Sequence, residues 1–189
     1  ETWAPGMYAG QAVAEILYGK VNPSAKLAIT IPRSVGQLQM IYNHKPSQYF
    51  HPYAVKPSTP LWPFGYGLSY TTYKYDDLKL SAKEVSQNQN VEVSVKVTNT
   101  GQRDGVEIVQ LYIRDKYSSV TRPVKELKDF ARVALKAGES KVVTFTITPD
   151  KLAFYDKKMK WIVEPGEFVV MAGASSADES LLKETFILK

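Results

Sequence analysis

The chain has 189 residues, 44% of them apolar, which suggests one or two domains with an ordinary packed core. Cysteine is absent, which excludes disulfides and thiolate chemistry, and no run of 18 apolar residues predicts a membrane-spanning helix. Most of the net charge of +5 comes from six bases scattered among residues 1–75, a distribution without the basic stripe that nucleic-acid binding requires.

The first predicted elements are a helix and a short strand. Apolar residues recur at helical spacing within residues 7–18, and the helix-stopping Gly19 follows. Residues 26–31 predict a short strand that ends at Pro32. One helix and one strand cannot form a domain, because a buried strand needs neighbours for its backbone N–H and C=O groups. Residues 1–33 are therefore interpreted as the last piece of a larger α/β domain.

A connector of unusual composition follows. Residues 40–75 hold ten of the 22 aromatic residues and five of the 11 prolines. A flexible linker would be rich in Gly and Ser, so this connector is stiff and buries its rings, which favours a strap that clamps one domain onto another. The alternative is a substrate-binding rim, in which sugar rings stack on Trp62 and the hydroxyls of Tyr49 or Tyr53 fix their orientation.

From Tyr75 onward the pattern is typical of strands. Residues 91–97 alternate between valine and polar residues, which predicts a half-buried strand. Further runs suited to strands lie at residues 106–113, 143–147, 168–172 and 185–188. About seven short strands in roughly 110 residues predict a mainly β fold of the immunoglobulin-like sandwich type. Because no cysteine pair is present, a fibronectin type III-like sandwich fits better.

The sequence holds little catalytic chemistry. Hydrolysis of a glycosidic bond needs two carboxyl groups, and residues 1–75 contain only Glu1 and Glu15. Glu15 lies on the predicted helix and is expected to face solvent. His44 and His51 are the only histidines and lie in a Pro-rich loop without a nearby acid, so no metal site is predicted. We predict no catalytic residue and no cofactor in this chain.

Ten short motifs follow one another along nearly the whole chain. They are Trp3 to Gly6, Ala12 to Gly19, Asn22 to Leu27, Ile31 to Gln37, Tyr42 to Pro46, Pro63 to Thr71, Val97 to Gly101, Val109 to Ile113, Arg122 to Lys128 and Glu164 to Gly166. Each motif alone is weak, but their order and spacing are specific. The chain resembles the C-terminal part of glycoside hydrolase family 3, the family of many β-glucosidases and β-xylosidases.

The resemblance implies three divisions of the chain. Residues 1–39 would be the C-terminal tail of the family's α/β sandwich domain, residues 40–74 the connecting strap, and residues 75–189 a fibronectin type III-like domain. The expected partners are the upstream barrel and α/β domains of the same protein, which hydrolyse terminal β-linked sugars of glucosides or oligosaccharides with retention of configuration. Both catalytic carboxylates of such an enzyme lie upstream of Glu1. A periplasmic or secreted location is expected from the resemblance alone.

The expected function of this segment is to brace the catalytic domains. Four charged residues of one motif, Arg122, Lys125, Glu126 and Lys128, are expected either to pair across the domain boundary or to form ordinary surface salt bridges. Two other functions stay open on the residues alone. One is a stand-alone carbohydrate-binding module, and the other is an isolated structural β-sandwich.

Overall fold

The structure is a computed structural model and describes residues 1–37, 40–46 and 59–189. The helices are α1 (Ala9–Leu17) and α2 (Pro149–Leu152), with a 3-10 helix at Asp178–Ser180. The strands are β1 (Tyr73–Leu80), β2 (Glu84–Val85), β3 (Val91–Asn99), β4 (Gly105–Asp115), β5 (Glu126–Leu135), β6 (Ser140–Ile147), β7 (Phe154–Tyr155), β8 (Trp161–Ile162), β9 (Gly166–Gly173) and β10 (Leu181–Leu188). In this described part of the chain, no helix is long and apolar enough to cross a bilayer.

The strands form two sheets and a separate hairpin. One sheet has the order β1-β3-β6, the other has the order β2-β10-β9-β4-β5, and β7 pairs with β8. Neighbouring strands run antiparallel, apart from the parallel pair of β2 and β10. This confirms the predicted mainly β fold with a fibronectin type III-like sandwich.

The core lies between the two sheets and follows from the alternation in the sequence. The four valines of β3 at positions 91, 93, 95 and 97 are almost fully buried, while the polar residues between them point away. Val109, Leu111 and Ile113 of β4 belong to the same cluster, as do Phe168 and Phe186, whose stacked rings lie 5.4 Å apart between centroids. A two-residue period therefore places every second side chain in the core.

The strand predicted at residues 26–31 is wrong as a regular strand. Ile31 forms an isolated antiparallel bridge with Trp62, and Leu27 exchanges backbone hydrogen bonds with Gly65 and Tyr66. Pro63 lies between these two bonding points on the partner segment. Because proline has no N–H to donate, it interrupts the ladder that would make the two segments a continuous strand pair.

Strand β5 is a strand that the sequence pattern does not indicate. It forms one edge of the five-stranded sheet and pairs with β4, with a shift of register between Leu111 and Tyr112. A shift of one residue moves the side chains of a strand to the opposite face. The apolar residues of β5, among them Leu127, Phe130 and Ala131, consequently do not follow one period along its length.

Candidate functional site

The described parts of residues 1–70 lie against the sandwich and are bonded to it at several separate places. Contacts from residues 19–27, 42–45 and 63–67 reach sandwich residues 103–127 and 174–176. We call these contacts the clamp. The clamp is the candidate functional site, because it fixes the N-terminal segment to the sandwich.

An aromatic cluster forms the centre of the clamp. Tyr112, Met171 and Leu181 are buried on the outer face of the five-stranded sheet, away from the main core. Tyr42 and Phe64 cover them, with ring centroids 4.2 Å apart and an interplanar angle of 21°. Tyr42 also meets the ring of Tyr112 edge-on at 5.8 Å. Two rings of the strap, those of Tyr42 and Phe64, therefore pack on the sandwich, whereas Trp62 and Tyr70 are exposed.

Gln110 of β4 bonds both to the strap, at Gly65, and to the loop after β9, at Ala174. Its side-chain amide donates to the carbonyl oxygens of Gly65 at 3.1 Å and Ala174 at 2.7 Å, and its own oxygen accepts the Tyr112 hydroxyl at 2.5 Å. Gly65 is buried with φ at +78°, and a Cβ placed there would meet the Gln110 side-chain oxygen at 2.0 Å. Only glycine fits both the conformation and the close approach.

A buried ion pair closes a second part of the clamp. The Lys26 ammonium lies 3.1 Å from a carboxylate oxygen of Glu107, with side-chain exposures of 13% and 3%. The Tyr75 hydroxyl donates to the same oxygen at 2.7 Å. Burial, with the Glu107 charge beside it, raises the pKa of Tyr75 far above its usual value, so the phenol stays protonated and remains a donor. A fixed positive charge and a fixed hydrogen bond thus hold the Glu107 carboxylate.

A polar loop contact completes the clamp near α1. The Asn22 side-chain oxygen accepts the Ser69 hydroxyl and the Tyr70 amide, both at 2.8 Å, and its amide nitrogen donates to the Asp104 carbonyl at 2.9 Å. Arg103 donates to the Gly19 carbonyl at 2.6 Å. Two of these bonds, from Asn22 to Asp104 and from Arg103 to Gly19, join the N-terminal segment to the sandwich.

The Phe64→Ala variant is expected to lose about 2 kcal/mol of its free energy of unfolding, since a half-buried stacked ring is removed. Tyr42→Phe keeps the ring but loses the hydroxyl that accepts the Leu127 amide at 3.2 Å, which costs about 1 kcal/mol. Urea denaturation of the chain measures both. The control is Phe130→Ala, an exposed ring on β5, and a Phe64→Ala loss no larger than that of the control would contradict the packing role.

Of the three aromatic residues predicted to form a substrate-binding rim, the structure describes Trp62 alone. Trp62 is exposed and bridges Ile31, whereas Tyr49 and Tyr53 lie outside the described residues. A groove of about 490 Å³ runs beside the clamp, and Leu61 and Pro63 line it but Trp62 does not. The rim stays a prediction.

Of the two histidines, the structure describes His44 alone. His44 lines the same groove, with its ring nitrogen Nδ1 2.9 Å from the Lys45 carbonyl oxygen, and its own carbonyl accepts the Val124 amide. His51 lies outside the described residues. Across residues 1–37, 40–46 and 59–189, no group of three His, Asp or Glu side chains could hold a metal ion.

Glu15 of α1 is less exposed than predicted. Its carboxylate accepts hydrogen bonds from Lys20 at 2.7 Å and from Gln11 at 3.1 Å, and its side chain is about a quarter exposed. These bonds, that from Lys20 first, lower the pKa of Glu15. The bonded carboxylate has a structural role in the helix.

The charged motif at residues 122–128 makes its ion pairs within the sandwich. Glu126 pairs with Arg122 and Lys128, and Lys125 pairs with Asp178 at 3.1 Å. The four residues thus form salt bridges within the sandwich, and pairing across the boundary to the upstream domains stays a prediction. The same motif meets the strap through its backbone instead, where the Leu127 amide reaches Tyr42 and the Val124 amide reaches His44.

α1 and other described parts of residues 1–70 expose large apolar side chains. Leu17 is 73% exposed and Tyr18 is 90% exposed, and no residue of α1 is buried. Other exposed apolar residues of this segment are Trp3, Met7, Tyr8, Val35, Ile41 and Leu68. Extended exposed apolar surfaces usually mark contacts with another protein or domain.

Sequence reasoning missed the polar half of the clamp. Glu107 and Gln110 lie in the apolar run of β4, and a polar residue inside such a run is a signal that it has a buried partner. The identity of those partners, Lys26 and Gly65, carries no signal in the sequence.

Comparison with known proteins gives two family matches. The model of the glycosyl hydrolase family 3 C-terminal domain matches residues 1–70. The model of the fibronectin type III-like domain matches residues 107–176.

Individual relatives agree with these matches. A periplasmic β-glucosidase of Salmonella typhimurium is 44% identical over 94% of this chain and 24% of its own length. A β-xylosidase of Formosa agariphila is 45% identical over 100% of this chain and 27% of its own length. The solved structure of a β-glucosidase from Erythrobacter marinus has a TM-score of 0.91 at 45% identity, covering 95% of this chain and 24% of that one. The chain thus spans about a quarter of the length of these relatives.

Proposed function

Because the chain belongs to glycoside hydrolase family 3 and carries its C-terminal part, we propose that it is the non-catalytic brace of a retaining, exo-acting enzyme of the β-glucosidase type. The parent enzyme hydrolyses terminal β-linked sugars, and its catalytic carboxylates lie outside this chain. The partners of the chain are an upstream barrel and an upstream α/β domain of the same protein. The names of the relatives, β-glucosidase and β-xylosidase, support this class of substrate.

The uncovered apolar face of α1 supports the proposal most directly. Leu17 and Tyr18 face solvent here, although residues of this kind are usually buried. In the parent enzyme this face packs on the rest of the α/β domain. Because the clamp bonds the same segment to the sandwich, the sandwich is then held at a fixed place relative to the catalytic domains.

We further propose that the chain divides at the positions expected from its sequence. Residues 1–39 end the α/β sandwich domain, residues 40–74 form the strap, and residues 75–189 form the fibronectin type III-like domain. The first strand begins at Tyr73 and the first family match ends at residue 70, which supports a boundary in this region.

Bracing contributes to catalysis by keeping the distance between the two catalytic carboxyl groups constant. A retaining glycosidase needs its two carboxyl groups about 5 Å apart. When they stand on different domains, a displacement of about 1 Å can cost roughly 100-fold in rate. A clamp made of buried rings and buried hydrogen bonds limits such displacements.

We propose a periplasmic or secreted location for the parent enzyme. One relative is named a periplasmic β-glucosidase. Fractionation of cells that produce the full-length protein tests this part of the proposal.

The isolated chain is expected to hydrolyse no p-nitrophenyl β-D-glucoside, because it lacks the carboxylate pair. Co-expression with the upstream part of the same protein is expected to restore turnover. Turnover by the purified chain alone, or a fully active upstream part without the chain, would contradict the bracing function.

Two variants test the docking face within the co-expressed pair. Leu17→Asp is expected to reduce the restored turnover at least about tenfold, because a carboxylate would be buried without a partner. Lys20→Ala removes an exposed side chain at the end of the same helix and is expected to change little. Equal activity of both variants would show that the face of α1 is not the docking surface.

A further inference from the structure

The hairpin formed by β7 and β8 displays a pair of aromatic rings on its outer face. Phe154 points inward, is buried, and lies under the Arg122 guanidinium at 4.5 Å. Tyr155 and Trp161 are directly opposite each other in the strand register and point outward. The hairpin therefore has one face anchored in the sandwich and one aromatic face in solvent.

The two outer rings form a platform. Their centroids lie 4.9 Å apart with a tilt of 58°, and Tyr155 is 57% exposed while Trp161 is 53% exposed. A cross-strand aromatic pair helps to hold a hairpin together. That role leaves more than half of each ring without a contact, so the platform is available for a ligand.

The turn between the rings is tightly bonded. One carboxylate oxygen of Asp156 accepts the backbone amides of Lys158 at 2.8 Å and Lys160 at 2.9 Å. Backbone hydrogen bonds also join Asp156 with Lys160 and with Met159, which has a φ of +57°. A platform held by such a turn loses little conformational entropy on binding.

Positive charge surrounds the platform. Lys157, Lys158 and Lys160 are exposed, and none of them forms an ion pair within the part of the chain that the structure describes. The one acid of the turn, Asp156, already accepts two backbone amides. The hairpin therefore presents three free ammonium groups beside two rings.

We propose that this hairpin is a binding surface for an acidic polysaccharide, a sugar polymer that carries carboxylate groups. The apolar C–H faces of sugar rings stack on Tyr155 and Trp161, and the lysines pair with carboxylates of neighbouring units. The site goes beyond the bracing function, since it lies on the sandwich and needs no catalytic group.

The position of the rings favours a polymer over a membrane. A segment that inserts into a bilayer needs an apolar tip with basic residues behind it. Here the rings lie on the strands, and the tip carries the lysines with Met159 as its one large apolar side chain. A chain of sugars can lie across the rings and reach the lysines at the same time.

Affinity electrophoresis of the full-length parent protein tests the proposal. Polygalacturonate in the gel is expected to retard the protein, and neutral dextran is expected to retard it much less. Trp161→Ala and Tyr155→Ala are each expected to weaken the binding about tenfold, as is usual when an aromatic side chain that becomes buried in a complex is removed. Phe130→Ala, which removes an exposed ring on another strand, is the matched control and should bind as the parent does.

A second variant separates charge from packing. Replacing Lys157, Lys158 and Lys160 together by alanine keeps both rings and removes only exposed groups, so the fold is expected to persist even where a ring variant unfolds. The triple lysine variant is expected to bind polygalacturonate no better than dextran. Turnover of p-nitrophenyl β-D-glucoside by the same preparations should stay unchanged, which keeps this result distinct from the bracing function.

Four outcomes would overturn the proposal. The first is an unretarded parent protein, and the second is full binding by the triple lysine variant. The third is a loss of binding in Phe130→Ala equal to that of the ring variants. The fourth is binding to phosphatidylglycerol vesicles with no binding to polygalacturonate, which would assign the hairpin to a lipid surface instead.

Discussion

Glu107→Ala is expected to lower the free energy of unfolding of the chain by about 3–5 kcal/mol, the usual cost of removing one partner of a buried ion pair. The change leaves the Lys26 ammonium and the Tyr75 hydroxyl without their acceptor, in a place that solvent hardly reaches. Urea denaturation followed by tryptophan fluorescence measures the loss. A large part of the cost comes from the stranded Lys26 charge.

Two controls show whether burial is the cause. Lys20→Ala breaks an ion pair of 2.7 Å on an exposed part of α1, and its expected effect is no more than about 1 kcal/mol. The double variant Lys26→Met with Glu107→Leu removes both charges and is expected to recover part of the lost stability. If Glu107→Ala behaved like Lys20→Ala, the buried pair would not hold the clamp.

Gly65→Ala is the second change with a large expected effect, a loss of about 3 kcal/mol. Roughly 1–2 kcal/mol come from a side chain at positive φ, and the remainder comes from overpacking. The new Cβ would lie 2.0 Å from the Gln110 side-chain oxygen, so Gln110 must move and give up its bond to the Gly65 carbonyl. In the full-length enzyme, a fall in turnover is expected together with the loss of stability.

Gly138→Ala is the matched control for this change. Gly138 has a φ of +76°, nearly the same as Gly65, but a Cβ there meets nothing within 4 Å. Its expected loss is therefore the conformational part alone, about 1–2 kcal/mol. The difference between the two variants measures the contact with Gln110. Equal losses in Gly65→Ala and Gly138→Ala would mean that the close approach of Gly65 to Gln110 contributes nothing to the loss of stability.

The sequence predicts those parts of the fold in which a local pattern of apolar and polar residues determines the element and its buried face. The alternating valines of β3 are buried as their period indicates, and α1 forms at Ala9–Leu17 inside the predicted segment. The segment at residues 26–31 looks like a strand because its residues favour one. Whether it forms a strand depends on the partner, and Pro63 on that partner interrupts the pairing.

The candidate site is harder to predict because its contacts are long-range. Lys26 and Glu107 are 81 positions apart, and the residues around either one give no indication that the other is its partner. The packing of Tyr42 and Phe64 could be expected from the aromatic content of the strap. The close approach of Gly65 to Gln110 could not, since a single glycine in a loop has many explanations.

The clamp also limits how this part of the protein can be exchanged between relatives. A chimera joined at residue 74 would take Lys26, Tyr42 and Gly65 from one parent, and Glu107, Tyr112 and Gln110 from the other. Every one of these contacts crosses the join. The clamp segments and the sandwich must therefore come from the same parent. A chimera that keeps every clamp contact must be joined on the N-terminal side of Gly19.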